Sequence, residues 1–111
     1  MGKWSQYKRR GSSDKSSSVV LGPPPPPNLI LVGGVVIQRH TGTTDSEAIC
    51  RLYQSSDGLN FFFRAPEVEW APDVDWGDSG SYPDLWLRCT EVGNGVNYVG
   101  ESIPSNVLDL T

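Results

Sequence analysis

Residues 47–64 decide the fold: Glu47-Ala48-Ile49-Cys50-Arg51-Leu52-Tyr53-Gln54, then Ser55-Ser56-Asp57-Gly58, then Leu59-Asn60-Phe61-Phe62-Phe63-Arg64. In the first part Ala48, Cys50 and Leu52 alternate with Glu47, Arg51 and Tyr53. A period of two puts the apolar set on one face of an extended chain and the polar set on the other, the pattern of a half-buried strand. Gly58 stands where a tight turn asks for positive φ, and Leu59 to Arg64 then reads as the returning strand of a hairpin.

Working outward, the same period recurs. Leu29-Ile30-Leu31-Val32 and Val35-Val36-Ile37 flank Gly33-Gly34 and read as two strands around a turn or bulge. Leu85, Leu87 and Cys89 alternate with Trp86, Arg88 and Thr90, and a turn at Gly93-Asn94-Gly95 leads to a closing strand within Ser105 to Thr111. Residues 66–84, rich in acids and prolines, read as a loop. No segment holds a helical period for more than a turn or two. Short strands punctuated by Gly, Pro and Asn predict an all-β, antiparallel β-sandwich.

Charge divides the chain. Residues 1–15 carry Lys3, Lys8, Arg9, Arg10 and Lys15 against Asp14, a net +4. From Asn28 onward Arg39, Arg51, Arg64 and Arg88 face twelve acids, a net −8, which together make the −4 of the whole 111-residue chain. Three parts follow: a basic, Ser-rich extended arm (1–22), a polyproline spacer (23–28) and a sandwich (29–111). The arm has too little apolar surface to offset chain entropy and is expected to be disordered alone. Five prolines in a row, Pro23 to Pro27, predict a polyproline II rod of roughly 15 Å, at about 3.1 Å per residue.

Several classes are excluded. No apolar run approaches the ~18 residues of a membrane span, and no apolar region follows the N-terminal cations, so neither a span nor a secretory signal is expected. Met1-Gly2-Lys3-Trp4-Ser5 places Gln6 where a myristoylation motif wants Ser or Thr. Gly33-Gly34 and Gly93-Asn94-Gly95 are turns, not phosphate loops. His40, the single histidine, has no nucleophile beside it in sequence and is expected at the surface of a strand end. Paired carboxylates suggest glycosidases, but a small open sandwich offers no cleft to raise one pKa. The expectation is a non-enzyme with no cofactor.

The last thirty residues carry a family likeness. Leu85-Trp86-Leu87-Arg88-Cys89-Thr90-Glu91-Val92, a glycine-rich turn, and then Gly100-Glu101-Ser102-Ile103-Pro104-Ser105-Asn106-Val107-Leu108-Asp109-Leu110-Thr111 resemble the final hairpin of a fibronectin type III domain. The Pro-rich entry into Asn28-Leu29-Ile30-Leu31 is similar to that family's first strand. Asp78-Ser79-Gly80-Ser81-Tyr82 resembles the tyrosine-corner segment of immunoglobulin domains, though Pro83 interrupts it and Cys89 follows seven residues after the Tyr rather than two. The Ala48–Leu52 strand lacks the family's core Trp, and the loop from Pro66 to Pro83 is longer and more acidic than usual. The resemblance implies an immunoglobulin-like, fibronectin type III-like sandwich. It covers about a third of the chain well. On it Cys50 and Cys89 fall in the two strands that an immunoglobulin disulfide joins across the sandwich. Buried, reduced thiols are the expected state and a bridge is the alternative.

A stand-alone sandwich with a basic arm is similar to the small accessory proteins of bacteriophage virions. That likeness implies a structural protein of the virion, made in the host cytoplasm and partnered by capsid, neck or tail subunits. In the arm, Lys3, Lys8, Arg9 and Arg10 would pair with acids of a partner while Trp4 and Tyr7 anchor it. The alternatives there are a nucleic-acid contact, with Trp4 or Tyr7 stacked on bases, and a solvated tail. A second feature is an acidic echo: Glu67-Val68-Glu69-Trp70 is followed by Asp73-Val74-Asp75-Trp76, with Asp78 and Asp84 beyond. Its tryptophans fill the core and its acids are a solvated rim, or the patch is an interface. Otherwise Trp70, Trp76 or Trp86 grips a host-surface glycan. Asp73, Asp75 and Asp78 are weak candidates for Ca²⁺, since no EF-hand spacing is present.

Overall fold

A computed structural model of the chain describes residues 22–40 and 48–111. The order is β1 (Asn28–Val32), β2 (Val35–Arg39), β3 (Ile49–Ser55), β4 (Phe62–Glu69), β5 (Asp73–Asp78), a 3-10 turn (Ser79–Ser81), β6 (Trp86–Asn94), β7 (Val99–Glu101) and β8 (Leu108–Asp109). All pairings are antiparallel. One sheet runs β1-β2-β5, and the larger runs β4-β3-β6-β7, with β8 also on β6. Leu29 and Val36 of the first sheet share one core with Leu52, Leu87 and Cys89 of the second and with Tyr82. The described part is thus all-β, in an arrangement compatible with a β-sandwich.

Local chemistry sets the joints. Gly33 and Gly34 both have positive φ (56° and 81°), the two-residue turn whose twist matches the flanking strands. The β3–β4 turn is longer than its sequence suggests. Asp57 Oδ1 accepts the backbone N–H of Leu59 and of Asn60, at 2.8 Å each, so those residues stay in the turn and β4 begins at Phe62. At the β6–β7 hairpin Gly93 approaches the Tyr98 carbonyl so closely that a Cβ would lie 2.4 Å from its oxygen.

One expectation is corrected. Residues 66–84 are not one loop: β4 extends to Glu69, and Asp73–Asp78 is a strand against β2. The alternation was there in Asp73-Val74-Asp75-Trp76, with Val74 buried and the two aspartates exposed. Asp is poorly suited to strands in general, but Arg39 opposite Asp73 offsets its charge, with Nε 2.9 Å from Oδ1. In the proline segment Pro24 and Pro27 are buried, and Gly22 just before it accepts a hydrogen bond from Val99 N (2.9 Å) of β7.

The segment 102–105 explains the edge of β6. Opposite its edge with β3, and between its pairings with β7 and β8, β6 has no strand partner, and two serines replace the ladder. Ser102 donates its backbone N–H to Glu91 O and accepts Glu91 N at Oγ. Ser105 does the same with Cys89, its Oγ 2.9 Å from Cys89 N. Asn106 then bridges to the other sheet: its Oδ1 accepts Leu29 N (2.9 Å) and its Nδ2 donates to Leu29 O (2.8 Å).

Candidate functional site

The residues singled out in sequence go to different places. Lys3, Trp4, Tyr7, Lys8, Arg9 and Arg10 lie outside the described residues. Trp76 packs on the core and donates its indole N–H to Gln38 Oε1 (2.9 Å). Trp70 stacks at 5.2 Å on His40, its own Nε1 buried without a partner. Trp86 is at the far end of β6, where the Gly58 turn closes on its ring. Gln38 and His40 link Trp76 to Trp70. Asp73 is held by Arg39, Asp75 accepts the Gly77 N–H, and Asp78 is exposed at the end of β5. Among the described residues no group of three or more His, Cys, Asp or Glu side chains could hold a metal ion.

His40 is not at the surface. Its side chain is 5% exposed, between β2, β3 and β6. The indole of Trp76 can only donate, so Gln38 Oε1 accepts and Gln38 Nε2 must donate. Nε2 lies 3.0 Å from His40 Nε2 and 3.3 Å from Thr90 O. His40 Nε2 is therefore the unprotonated nitrogen, and Nδ1–H donates to Ala71 O (2.8 Å). The imidazole is neutral, and burial holds its pKa below the ordinary histidine value.

Cys50 Sγ is 3.8 Å from His40 Nε2, and Glu91 Oε1 is 3.5 Å from it, a grouping invisible in sequence. It is not a catalytic constellation. Burial first, then the charge of Glu91, pushes the Cys50 thiol up to about 12, and burial raises Cys89 to about 12 as well. A nucleophile needs a depressed thiol pKa and access, and these have neither. Both cysteines are free and buried. They sit diagonally on neighbouring strands of one sheet, with Leu52 opposite Cys89 and Cys50 opposite Glu91. The expected placement across the sandwich is corrected: Cys50 belongs to β3, the partner of β6, because β2 is the Val35–Arg39 strand.

The chemistry open to solvent is on the outer face of the larger sheet. Tyr53, Arg88, Thr90, Glu101, Ser102 and Pro104 line a concavity of about 350 Å³. Alternation puts Arg51 and Tyr53 of β3 outward beside Thr90 and Arg88 of β6. Glu101, brought in by β7, accepts from Tyr53 Oη, from Thr90 Oγ1 (2.6 Å) and from Arg51 NH1 (3.2 Å). Partial burial works to raise its carboxyl, but these donors outweigh it and hold the pKa below the ordinary value. Arg51 also binds Glu67, the one acid of the echo drawn into this face. Tyr53 meets Phe63 edge-on at 5.9 Å, and Arg88 lies 4.1 Å over Phe61. This site is not legible in the sequence because its residues come from three strands. The available signal was parity, Arg51/Tyr53 and Arg88/Thr90 being the out-facing pairs of two alternating strands.

No helix among the described residues is long and apolar enough to cross a membrane. No protein-family model matches the chain, and no curated protein sequence matches it either.

Proposed function

We propose that the chain is an immunoglobulin-like, fibronectin type III-like module that works without catalysis as a structural accessory protein of a phage virion, docking through its basic arm. The strand orders β1-β2-β5 and β4-β3-β6-β7 support the fold assignment. So does Tyr82, whose hydroxyl donates to the Trp76 carbonyl upstream, in the manner of a tyrosine corner.

The observation that carries the docking role is where the arm is rooted. Gly22 is bound to Val99 on β7, two residues before Glu101. The arm therefore joins the domain at Gly22, beside its open concave face, and the basic residues 3–15 precede that joint in sequence. Virion membership rests on the likeness of a sandwich with a basic arm to virion accessory proteins, and particle binding tests it. Phage particles assembled with the full chain and with a chain lacking residues 1–21 are purified by density gradient, and bound protein is quantified. The full chain co-purifies. The truncated chain, folded by circular dichroism, stays in the soluble fraction. Particles that still carry the truncated chain overturn the anchor role.

A further inference from the structure

Arg88 is out of step with the electrostatics around it. The body is strongly acidic, and of its four arginines Arg39 binds Asp73 while Arg51 binds Glu67 and Glu101. Arg64 donates to the Gln54 side-chain carbonyl and lies 4.7 Å over Tyr82. Arg88 makes neither kind of bond: its one described partner is the Phe61 ring, and its Nε is out of solvent contact with no acceptor. Its two Nη atoms, equally without an acceptor, keep solvent contact and are the donors that an arriving acceptor can reach.

The one carboxylate lining the same concavity does not supply that acceptor. Glu101 is turned to Tyr53, Thr90 and Arg51. Arg88 is left as a fork of donors, its guanidinium carbon over the Phe61 ring, in a hollow walled by Tyr53 and Pro104. Apolar surface flanks it on both sides. Ile103, between the lining residues Ser102 and Pro104, is 67% exposed, and Phe63, in contact with Tyr53, is 47% exposed. Arg and Tyr in a concave site with an apolar rim are the residue types that dominate binding energy at protein interfaces.

We infer that this concavity is a docking pocket for a carboxylate side chain of a partner protein, taken bidentately by Arg88, with the apolar residues that flank that carboxylate resting on Phe63 and Ile103. The occupant is an acidic, partly apolar segment. Its charge complements Arg88, and the basic composition of residues 3–15 calls for a partner of the same sign. The inference rests on the docking role proposed above and names the chemistry of the partner.

The test is a titration of the isotopically labelled full chain, followed through the Arg88 Nε–H signal and the Thr90 and Ser102 amides. The probes are acetyl-Leu-Glu-Leu-amide, acetyl-Leu-Gln-Leu-amide and inorganic phosphate. The Glu peptide gives saturable shifts at these three groups, and the Gln peptide binds about tenfold or more weakly, the loss of a charge-assisted pair. Arg88→Gln abolishes the response, and Arg88→Lys, which keeps the charge without the fork, weakens it. The dispersion of the remaining signals checks that both variants are folded. Equal response to the Gln peptide, a stronger response to phosphate, or no response up to about 10 mM, a level far above a useful Kd, overturns the pocket. The arm is tested separately. A failed titration with loss of particle binding on arm deletion removes the pocket alone, whereas a positive titration with arm-deleted protein still on particles removes the anchor role alone.

Discussion

Two polar clusters share β3 and β6, one on each face of the larger sheet, and they are built oppositely. Inside, Trp76, Gln38, His40 and Ala71 form a chain in which each step is donor to acceptor and no step requires a charge. Outside, Arg51, Tyr53, Thr90 and Glu101 form a charged knot, and Arg88 beside it has no acid at all. Consecutive residues separate the two: Cys50 points in and Arg51 out. Where water is withheld, an unmatched polar group is expensive, so this chain of bonds is matched at each step, with the neighbouring Trp70 Nε1 the exception. Where water has access, a charge can wait for a partner. The inner cluster is therefore a device for stability, and the outer one is where binding is to be sought.

The largest expected effect tests how completely the interior is closed. Cys50 and Cys89 are fully buried, with thiols pushed up to about 12. Alkylation by iodoacetamide at pH 8 then proceeds only through unfolding, slowed by roughly 5,000-fold for a domain of about 5 kcal/mol stability. Labelling at the rate of denatured protein would break the contrast between the faces. Next comes Gln38→Leu, which leaves the Trp76 indole N–H, the His40 ring nitrogen and the Thr90 carbonyl without their partner. The expected loss is about 3 kcal/mol in urea unfolding, from groups that each cost on the order of 1 kcal/mol or more. A change below about 1 kcal/mol would mean that water reaches the network after all.

A smaller effect comes from acid. His40 has a lowered pKa in the folded state, so below its ordinary value of 6.5 the unfolded chain binds more protons than the folded one. Stability is complete above that value and falls as pH drops towards the lower folded pKa, by at most about 1.4 kcal/mol per pH unit. His40→Gln, which has no titrating ring, removes the slope in this window. The acids with lowered pKa values, Asp73 beside Arg39, Asp109 beside Thr111 and Glu101, lose their contribution only below the ordinary carboxylate range, in both proteins.

How far the sequence revealed these clusters follows from their physics. The β3–β4 hairpin and the β1–β2 turn were legible because period and turn glycines are local signals. β5 was hidden by its own aspartates: Asp73 and Asp75 lower strand propensity, and the Arg39 that offsets Asp73 is 34 residues away. His40 looked superficial because nothing near it in sequence says that Trp70 will cover its ring and Gln38 will fix its tautomer. The outer pocket depends on Ser102 and Ser105 replacing a strand along β6. Their motif was visible as a likeness, but its consequence, an open hollow beside Arg88, needs three strands in register. Non-local pairing was the missing information throughout.

The smallest expected effect separates the two faces most sharply. Glu101→Gln replaces the carboxylate at the centre of the outer knot with a neutral group of the same shape that still accepts from Tyr53 or Thr90. The Glu101 side chain is 32% exposed and that of Arg51 33%, so their pairing contributes well under about 1 kcal/mol after solvent screening, and stability should fall by no more than that. Binding should move the other way. With the negative charge gone from the wall opposite Arg88, a carboxylate peptide loses a like-charge neighbour and Arg51 is partly released, so its affinity rises a few-fold at low salt and less at high salt. Isothermal titration of the variant with acetyl-Leu-Glu-Leu-amide reads this, with chemical denaturation as the companion measurement. A loss of stability as large as that of Gln38→Leu, with weaker peptide binding, would place Glu101 among the structural groups and erase the distinction between inner and outer clusters.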